Sequence, residues 1–301
     1  MVEPLQDQVQ GDAPPLVTVA MPVYNAGKYL RLAVLSIVKQ TYPNWELLII
    51  DDGSTDDAFK DIADINDARI RILQDGKNTG LAARLNECID LARGKYLARM
   101  DSDDVSYPER FTRQIEALQN DPKLDLIAAR AITIDESNVA TGLFPYALSH
   151  DEICARPWRS FYFPHPTWMG RIEWFRKHRY TIPGPYFCED QELLLRSYRE
   201  SKFRTIDEVL FAYRIKGKVN WQKLAKTRRT ILKIQLIHFV EAHQWHFVLL
   251  ATAAFVAKLS SDLFKRMGRR TLQPGRGITD DTVVIMWKNI LDVLAMESKA
   301  P

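Results

Sequence analysis

The chain predicts an α/β fold, a mostly parallel central sheet flanked by helices, with a helical C-terminal extension. Three observations carry this: apolar runs of strand length alternate with amphipathic stretches up to about residue 120, the runs end in polar turns, and the sequence beyond residue 222 is helical and basic. Such strands need cover on both faces, and ligands then bind beyond their C-terminal ends.

The first unit is LVTVAMPVYN (16–25), a β-rich run closed by Pro22 and Asn25, followed by Leu30, Ala33, Val34 and Ile37 at helical spacing. In the second, WELLIIDDGSTDD is a buried strand ending in acids and a glycine turn, and Phe59, Ile62 and Ala63 mark a helix. The third is RIRILQ, after which Leu81, Leu85, Cys88, Ile89 and Ala92 form a helical stripe ended by Gly94. KYLARM is the fourth strand and delivers three acids, Asp101, Asp103 and Asp104. Ser106 and Glu109 read as a capping box opening a helix with Phe111, Ile115 and Leu118 on one face. Between 124 and 215 the pattern is mixed: LDLIAARAITI is a strand, FYFPHPTWMGRIEWFRK is aromatic and loop-like, and EDQELLLRSYRES is a helix. The apolar run FVLLATAAFVA (247–257) falls short of the roughly 20 residues that span a bilayer.

At 301 residues, 46% apolar and 26% charged, the chain is neither disordered nor a polytopic membrane protein. The net charge of +3 decides little, but residues 223–276 hold eleven Lys and Arg against Glu241 and Asp262, which leaves the remainder acidic. A basic element on an acidic body seeks anionic surfaces. No nucleic-acid-binding module accompanies it. Three cysteines, Cys88, Cys154 and Cys188, are spaced for neither a disulfide framework nor a thiolate zinc site, so a reducing cytosol is expected. Residues 1–15 read as a flexible leader, not a secretory signal.

Carboxylates as close as those of Asp101 and Asp103 repel unless a cation lies between them. Mg²⁺ or Mn²⁺ prefers such oxygen ligands and keeps positions open for phosphate oxygens, so the pattern suits a metal holding a diphosphate. Standing alone, the cluster would read equally as a solvated turn. Asp51 and Asp52, however, end a second buried strand on the same rim, where Asp52 suits a hydrogen bond from a nucleobase N–H.

The segments VAMPVYNAGKYLRLAVLSIVKQTYPNWELLIIDDGSTDD, KNTGLAARLNECIDLARGKYLARMDSDD and EDQELLLR together resemble family 2 glycosyltransferases of the GT-A fold, over about residues 16–215. The resemblance implies transfer of a sugar from a nucleoside diphosphate, usually UDP, with inversion. It divides the chain into a catalytic domain (16–222), with a donor half to about 104 and an acceptor half from 105, and the extension (223–301). It puts Pro22, Tyr24 and Asn25 in the first nucleotide-contacting loop, makes Asp52 the base-binding aspartate, and sets Arg84 in a segment facing the nucleotide. Asp101, Ser102 and Asp103 match D-x-D, with Asp103 as direct metal ligand, Asp101 near the ribose and donor sugar, and Asp104 in the outer shell. Asp190 matches the catalytic base. His165, Glu189 and Arg214 are candidates for contact with acceptor or diphosphate, although packing serves His165 equally well. Trp158, Phe161, Tyr162 and Trp168 suit either sugar stacking or the core. One departure stands out: YRIKGK places Lys216 where the family often has histidine, and a lysine cannot supply an imidazole ligand. The implied partners are a nucleotide-sugar and a glycan or lipid-linked acceptor, and the implied location is the cytoplasm; residues 223–276 read either as an element lying on the inner face of the membrane or as a soluble helical hairpin packed against the catalytic domain or a second subunit.

Two enzymatic rivals share features of this pattern. MDSDDV fits the motif of haloacid-dehalogenase-type phosphatases, which usually lies on their first strand, and sugar-1-phosphate nucleotidyltransferases share the sheet but usually carry a G-x-G-T-R loop that PVYNAGKYL is not. A non-enzymatic alternative is a glycosyltransferase-like subunit that binds nucleotide or glycan without turnover.

Overall fold

Val17–Val23 (β1) is buried along its whole length, as a central strand must be, and the sheet grows outward from it. In the computed structural model, which describes residues 13–217, 220–267 and 281–297, α1 (Leu30–Val38) follows β1 and leads to β2 (Trp45–Asp51), β3 (Ile70–Gln74), α2 (Leu81–Leu91), β4 (Tyr96–Arg99) and β5 (Val105–Ser106). The chain continues through α3 (Arg110–Asn120), β6 (Leu126–Ile134), β7 (Ala140–Leu143), α4 (His150–Cys154), β8 (Met169–Arg171), α5 (Ile172–Lys177), α6 (Glu189–Ser197) and β9 (Phe203–Arg214). It closes with α7 (Trp221–Glu241), α8 (Trp245–Met267) and α9 (Asp281–Glu297).

The strand order is β3-β2-β1-β4-β8-β6-β9-β5, with β7 paired to β6. β3, β2, β1 and β4 are mutually parallel. β8 is antiparallel to both β4 and β6, so β6 runs with β1, and β9 is parallel to β6. β1, β2, β4, β6 and β9 therefore all end on one rim, which brings distant loops together.

Two local expectations fail for identifiable reasons. The helix expected after β2 is only a 3-10 turn, Lys60–Ile62. Arg31 of α1 donates to the Asp61 carbonyl at 2.7 Å, taking an acceptor that a continuing helix would use, and it also pairs with Asp64. The Ser106–Glu109 capping box does not form. Ser106 lies in β5, where its Oγ accepts from Gln40 at 3.1 Å and its N–H donates to Ser36 Oγ, and α3 starts at Arg110 with no side-chain cap.

The extension shares the core with the body. Phe239 of α7 and Ala251 of α8 join the cluster built on Trp168, Phe175 and Leu194, while Trp287, Ile290 and Leu294 of α9 pack with Tyr107 and Leu210. The Trp287 ring stacks on Tyr107 and its Nε1 donates to the Asn138 carbonyl at 2.8 Å. α8 also corrects the reading of its apolar run as too short. The helix continues on both sides of residues 247–257, and Trp245–Phe264 is long and apolar enough to cross a membrane, with only 6% of it buried. Polar tethers nonetheless tie it down: Asp262 pairs with Arg228 of α7, and Lys258 donates to the Arg159 carbonyl. Of the basic residues read as the end of this element, Arg269, Arg270 and Arg276 lie outside the described residues, as does the Lys265 side chain. The leader is likewise described only from residue 13.

Candidate active site

The rim where β1, β4 and β9 end opens into a cleft of about 640 Å³, lined by Asp101, Asp103, Glu189 and Asp190 but not by Asp51 or Asp52. On one side, Asp101, Asp103 and Asp104 each offer a carboxylate oxygen, all within 4.8 Å of one another. Two cations and one backbone amide answer them. Arg99 Nη2 lies 2.6 Å from Asp101 Oδ1, Lys216 Nζ lies 2.7 Å from Asp103 Oδ2, and the Arg214 backbone N–H donates to Asp104 Oδ1 at 2.7 Å. Asp104 Oδ2 is buried with no partner among the described residues. Burial raises the Asp101 carboxyl, with Arg99 pulling it back down, and burial reinforced by Asp101 and Asp103 raises Asp104 well above the usual carboxylate range. Converging carboxylates, two of them raised by burial and one of these with an orphaned oxygen, offer the set of oxygen ligands that suits a divalent cation.

Glu189 and Asp190 enter the same cleft from the first turn of α6. Gln191 fixes that turn: its Nε2 donates to Asp190 Oδ2 at 3.0 Å, and its Oε1 accepts from Ser160 Oγ and the Phe161 N–H. Burial raises the Asp190 carboxyl and, together with the Asp190 charge, pushes Glu189 up to about 7. His165 is buried beside them, its Nε2 2.7 Å from the Tyr180 hydroxyl and its Nδ1 3.8 Å from Glu189 Oε1. Burial and Arg99 hold its imidazole well below the usual range, and therefore neutral.

Of the residues expected at the nucleotide, Tyr24, Asp101 and Ser102 line the cleft, and Tyr24 is 55% exposed. Pro22 stays within β1, opposite Ile50. Asn25 adopts a positive φ and closes a turn, accepting from the Thr55 N–H at 2.8 Å. Asp52 Oδ1 accepts from the Thr79 N–H at 2.7 Å, the Gly80 N–H at 3.1 Å and Arg84 Nε at 3.1 Å. Gly53 next to it is held at φ +75°, where a Cβ would lie 3.0 Å from the Lys77 carbonyl carbon, so this turn and loop 75–80 meet backbone to backbone. Arg84 uses every N–H it has, on Asp52, Asp75, Glu87 and the Lys77 carbonyl. Its position in the segment is as expected, but its guanidinium organises loop 75–80 and has no donor left over.

Of the aromatics, Trp168 is core and Trp158 packs against it, while Phe161 and Tyr162 reach the cleft. Three residues without an expected role also belong to the site: Arg99 and Phe187 line the cleft, and Tyr180 bonds His165. Arg99 had a usable signal, because a lone arginine inside a buried strand must find an anion. Tyr180 and Phe187 had none.

Residues 18–179 match the family described as Glycosyl transferase family 2. The chain belongs to that family. This glycosyltransferase is 33% identical over 207 residues to the putative glycosyltransferase EpsE of Bacillus subtilis, covering 66% of this chain and 73% of that one. Its fold resembles residues 1–349 of S. aureus TarS in complex with UDP-GlcNAc (TM-score 0.60, 17% identity, 93% of this chain and 80% of that chain). It also resembles the mannosyltransferase PcManGT of Pyrobaculum calidifontis in complex with GDP-Man and Mn²⁺ (TM-score 0.54, 16% identity, 95% and 88%). The GT-A expectation thus holds, with an antiparallel β8 inserted into the sheet. The phosphatase reading falls, since the acidic motif follows β4 and not a first strand.

Proposed function

We propose that this glycosyltransferase moves a sugar from a UDP-sugar to a hydroxyl of a glycan or lipid-linked glycan, with inversion in a single displacement. The observation carrying this is one cleft that holds the Asp101–Asp103–Asp104 cluster and the Glu189–Asp190 pair together. Asp103 and Asp101 would hold a Mn²⁺ or Mg²⁺ ion, with Asp104 behind them. Bound there, the ion offsets the charge that develops on the departing diphosphate. Asp190 accepts the acceptor hydroxyl's proton as the new C–O bond forms, and burial makes its carboxylate a stronger base than an exposed one. Glu189 shapes the field around it, and Tyr24 lies at the nucleotide end. UDP is favoured by the bound sugar nucleotide of the TarS neighbour, and Mn²⁺ by that of PcManGT.

The deciding experiment is a donor screen in which several nucleotide sugars are offered with glycan acceptors and the released nucleoside diphosphate is measured. UDP release that needs acceptor, stops in EDTA and returns with Mn²⁺ or Mg²⁺ supports the reading. Full turnover in excess EDTA would remove the metal, and tight UDP binding without turnover would favour a binding subunit.

The location we propose is the inner face of the cytoplasmic membrane, reached through α8. Trp245, Leu249, Val256 and Leu263 form an exposed apolar stripe, while the Asp262–Arg228 and Lys258–Arg159 tethers hold the helix against the body, as an interfacial helix requires.

A further inference from the structure

We infer that Lys216 is a tethered cation that occupies the metal face of Asp103 in the donor-free enzyme and leaves it for the donor diphosphate, so that metal and diphosphate are taken up as a pair. This rests on the reading of Asp103 as a metal ligand and adds a role for a residue at which this chain departs from its family.

The placement of Lys216 follows from β9. Arg214 locks the strand end to the acidic loop: its N–H donates to Asp104 Oδ1, its Nε to the Asp103 carbonyl and its Nη1 to the Asp135 carbonyl, each at 2.7 Å. The Ile215 N–H still donates to the Ile134 carbonyl, so strand alternation carries one residue past the end and turns Lys216 to the side of Arg214. Both cations accordingly lie over the Tyr29 ring, Arg214 at 4.3 Å and Lys216 at 4.7 Å from its centroid. There the likeness ends. Arg214 is buried and bonded to three carbonyl or carboxylate groups, whereas the Lys216 side chain is 39% exposed at the cleft and, among the described residues, pairs only with Asp103. One cation is structural and the other is free to swing on a four-carbon stem.

An ammonium 2.7 Å from Asp103 Oδ2 and a divalent ion bonded to the same carboxylate repel each other. An imidazole at residue 216 would join such an ion as a ligand, but a protonated lysine competes with it. Free metal therefore meets an acidic cluster that already has its counter-charge. A diphosphate changes the balance, because its oxygens take the ammonium and release Asp103. The cluster then lacks a cation at the moment one is needed.

The test titrates Mn²⁺ alone into the full chain without nucleotide, read by the electron paramagnetic resonance of free Mn²⁺, and titrates UDP calorimetrically in EDTA. Lys216→Met should bind Mn²⁺ about two- to fivefold more tightly than wild type and UDP in EDTA about two- to fivefold more weakly, the worth of one partly exposed ion pair. Lys216→Arg, which keeps the charge, should stay near wild type in Mn²⁺ affinity. Mn²⁺ affinity in Lys216→Met no higher than in wild type overturns the inference, and unchanged UDP affinity in EDTA overturns the transfer to diphosphate. Asp103→Asn separates the two levels. If it loses Mn²⁺ binding while Lys216→Met matches wild type, only the inference fails, whereas if it keeps wild-type Mn²⁺ affinity with UDP present, the metal reading fails as well.

Discussion

Arg99 Nη2 reaches Asp101 Oδ1 across 2.6 Å from inside a buried strand, and its Nε and Nη1 have no partner among the described residues. The guanidinium lowers the carboxyls of Asp101, Glu189 and Asp190 against the burial that raises all three. Without that charge each would hold its proton to higher pH. In Arg99→Met the acid limb of the kcat/KM profile should therefore move upward, by roughly half to one pH unit, on the scale of a neighbouring charge in a partly wet site. A limb at the wild-type position would show that Arg99 serves only to anchor Asp101.

In the proposed mechanism Asp190→Asn removes the base and leaves the nucleotide contacts in place. Turnover should fall by about 10²–10⁴, the usual worth of general-base catalysis, with UDP affinity changed by no more than a few fold. Near-normal turnover would transfer the role to Glu189, its neighbour on α6.

Glu189 makes a separate prediction about stability. Its carboxyl sits at about 7 in the fold, above its ordinary value, so the folded protein binds this proton more tightly than the unfolded chain does. The stability it contributes is present at low pH and is lost as pH rises through about 7. Glu189→Gln carries no such loss, so urea unfolding should find it more stable than wild type by roughly 3 kcal/mol at pH 8 and by less than about 1 kcal/mol at pH 5. Parallel curves for the two proteins at both pH values would contradict this.

Asp52 joins the turn after β2 to loop 75–80, and we propose that it also meets the nucleotide base. Asp52→Ala strands the Thr79 and Gly80 N–H groups and one N–H of Arg84, so unfolding free energy should drop by about 2 kcal/mol together with a loss of UDP affinity. Calorimetric titration of UDP into folded variant reads the second effect directly, and unchanged affinity would place the base elsewhere.

Much of this was legible in the chain because it depends on local pattern. Strand and helix periodicity set the alternation of β1, α1 and β2, and the acidic pairs had to fall at strand ends, where polar side chains can leave an apolar layer. Their convergence on one rim followed from the parallel topology. Where the sequence misled, a long-range partner intervened. Arg31 took the Asp61 carbonyl and cut a helix to one 3-10 turn, and Gln40 and Ser36 claimed the Ser106 that was expected to cap α3. The chain also announced that Lys216 was out of place but could not say what it touches. Only β9, paired to β6 and locked by Arg214, places that ammonium on Asp103, because an ion pair between residues more than a hundred positions apart depends on register and side-chain direction, and neither has a local signature.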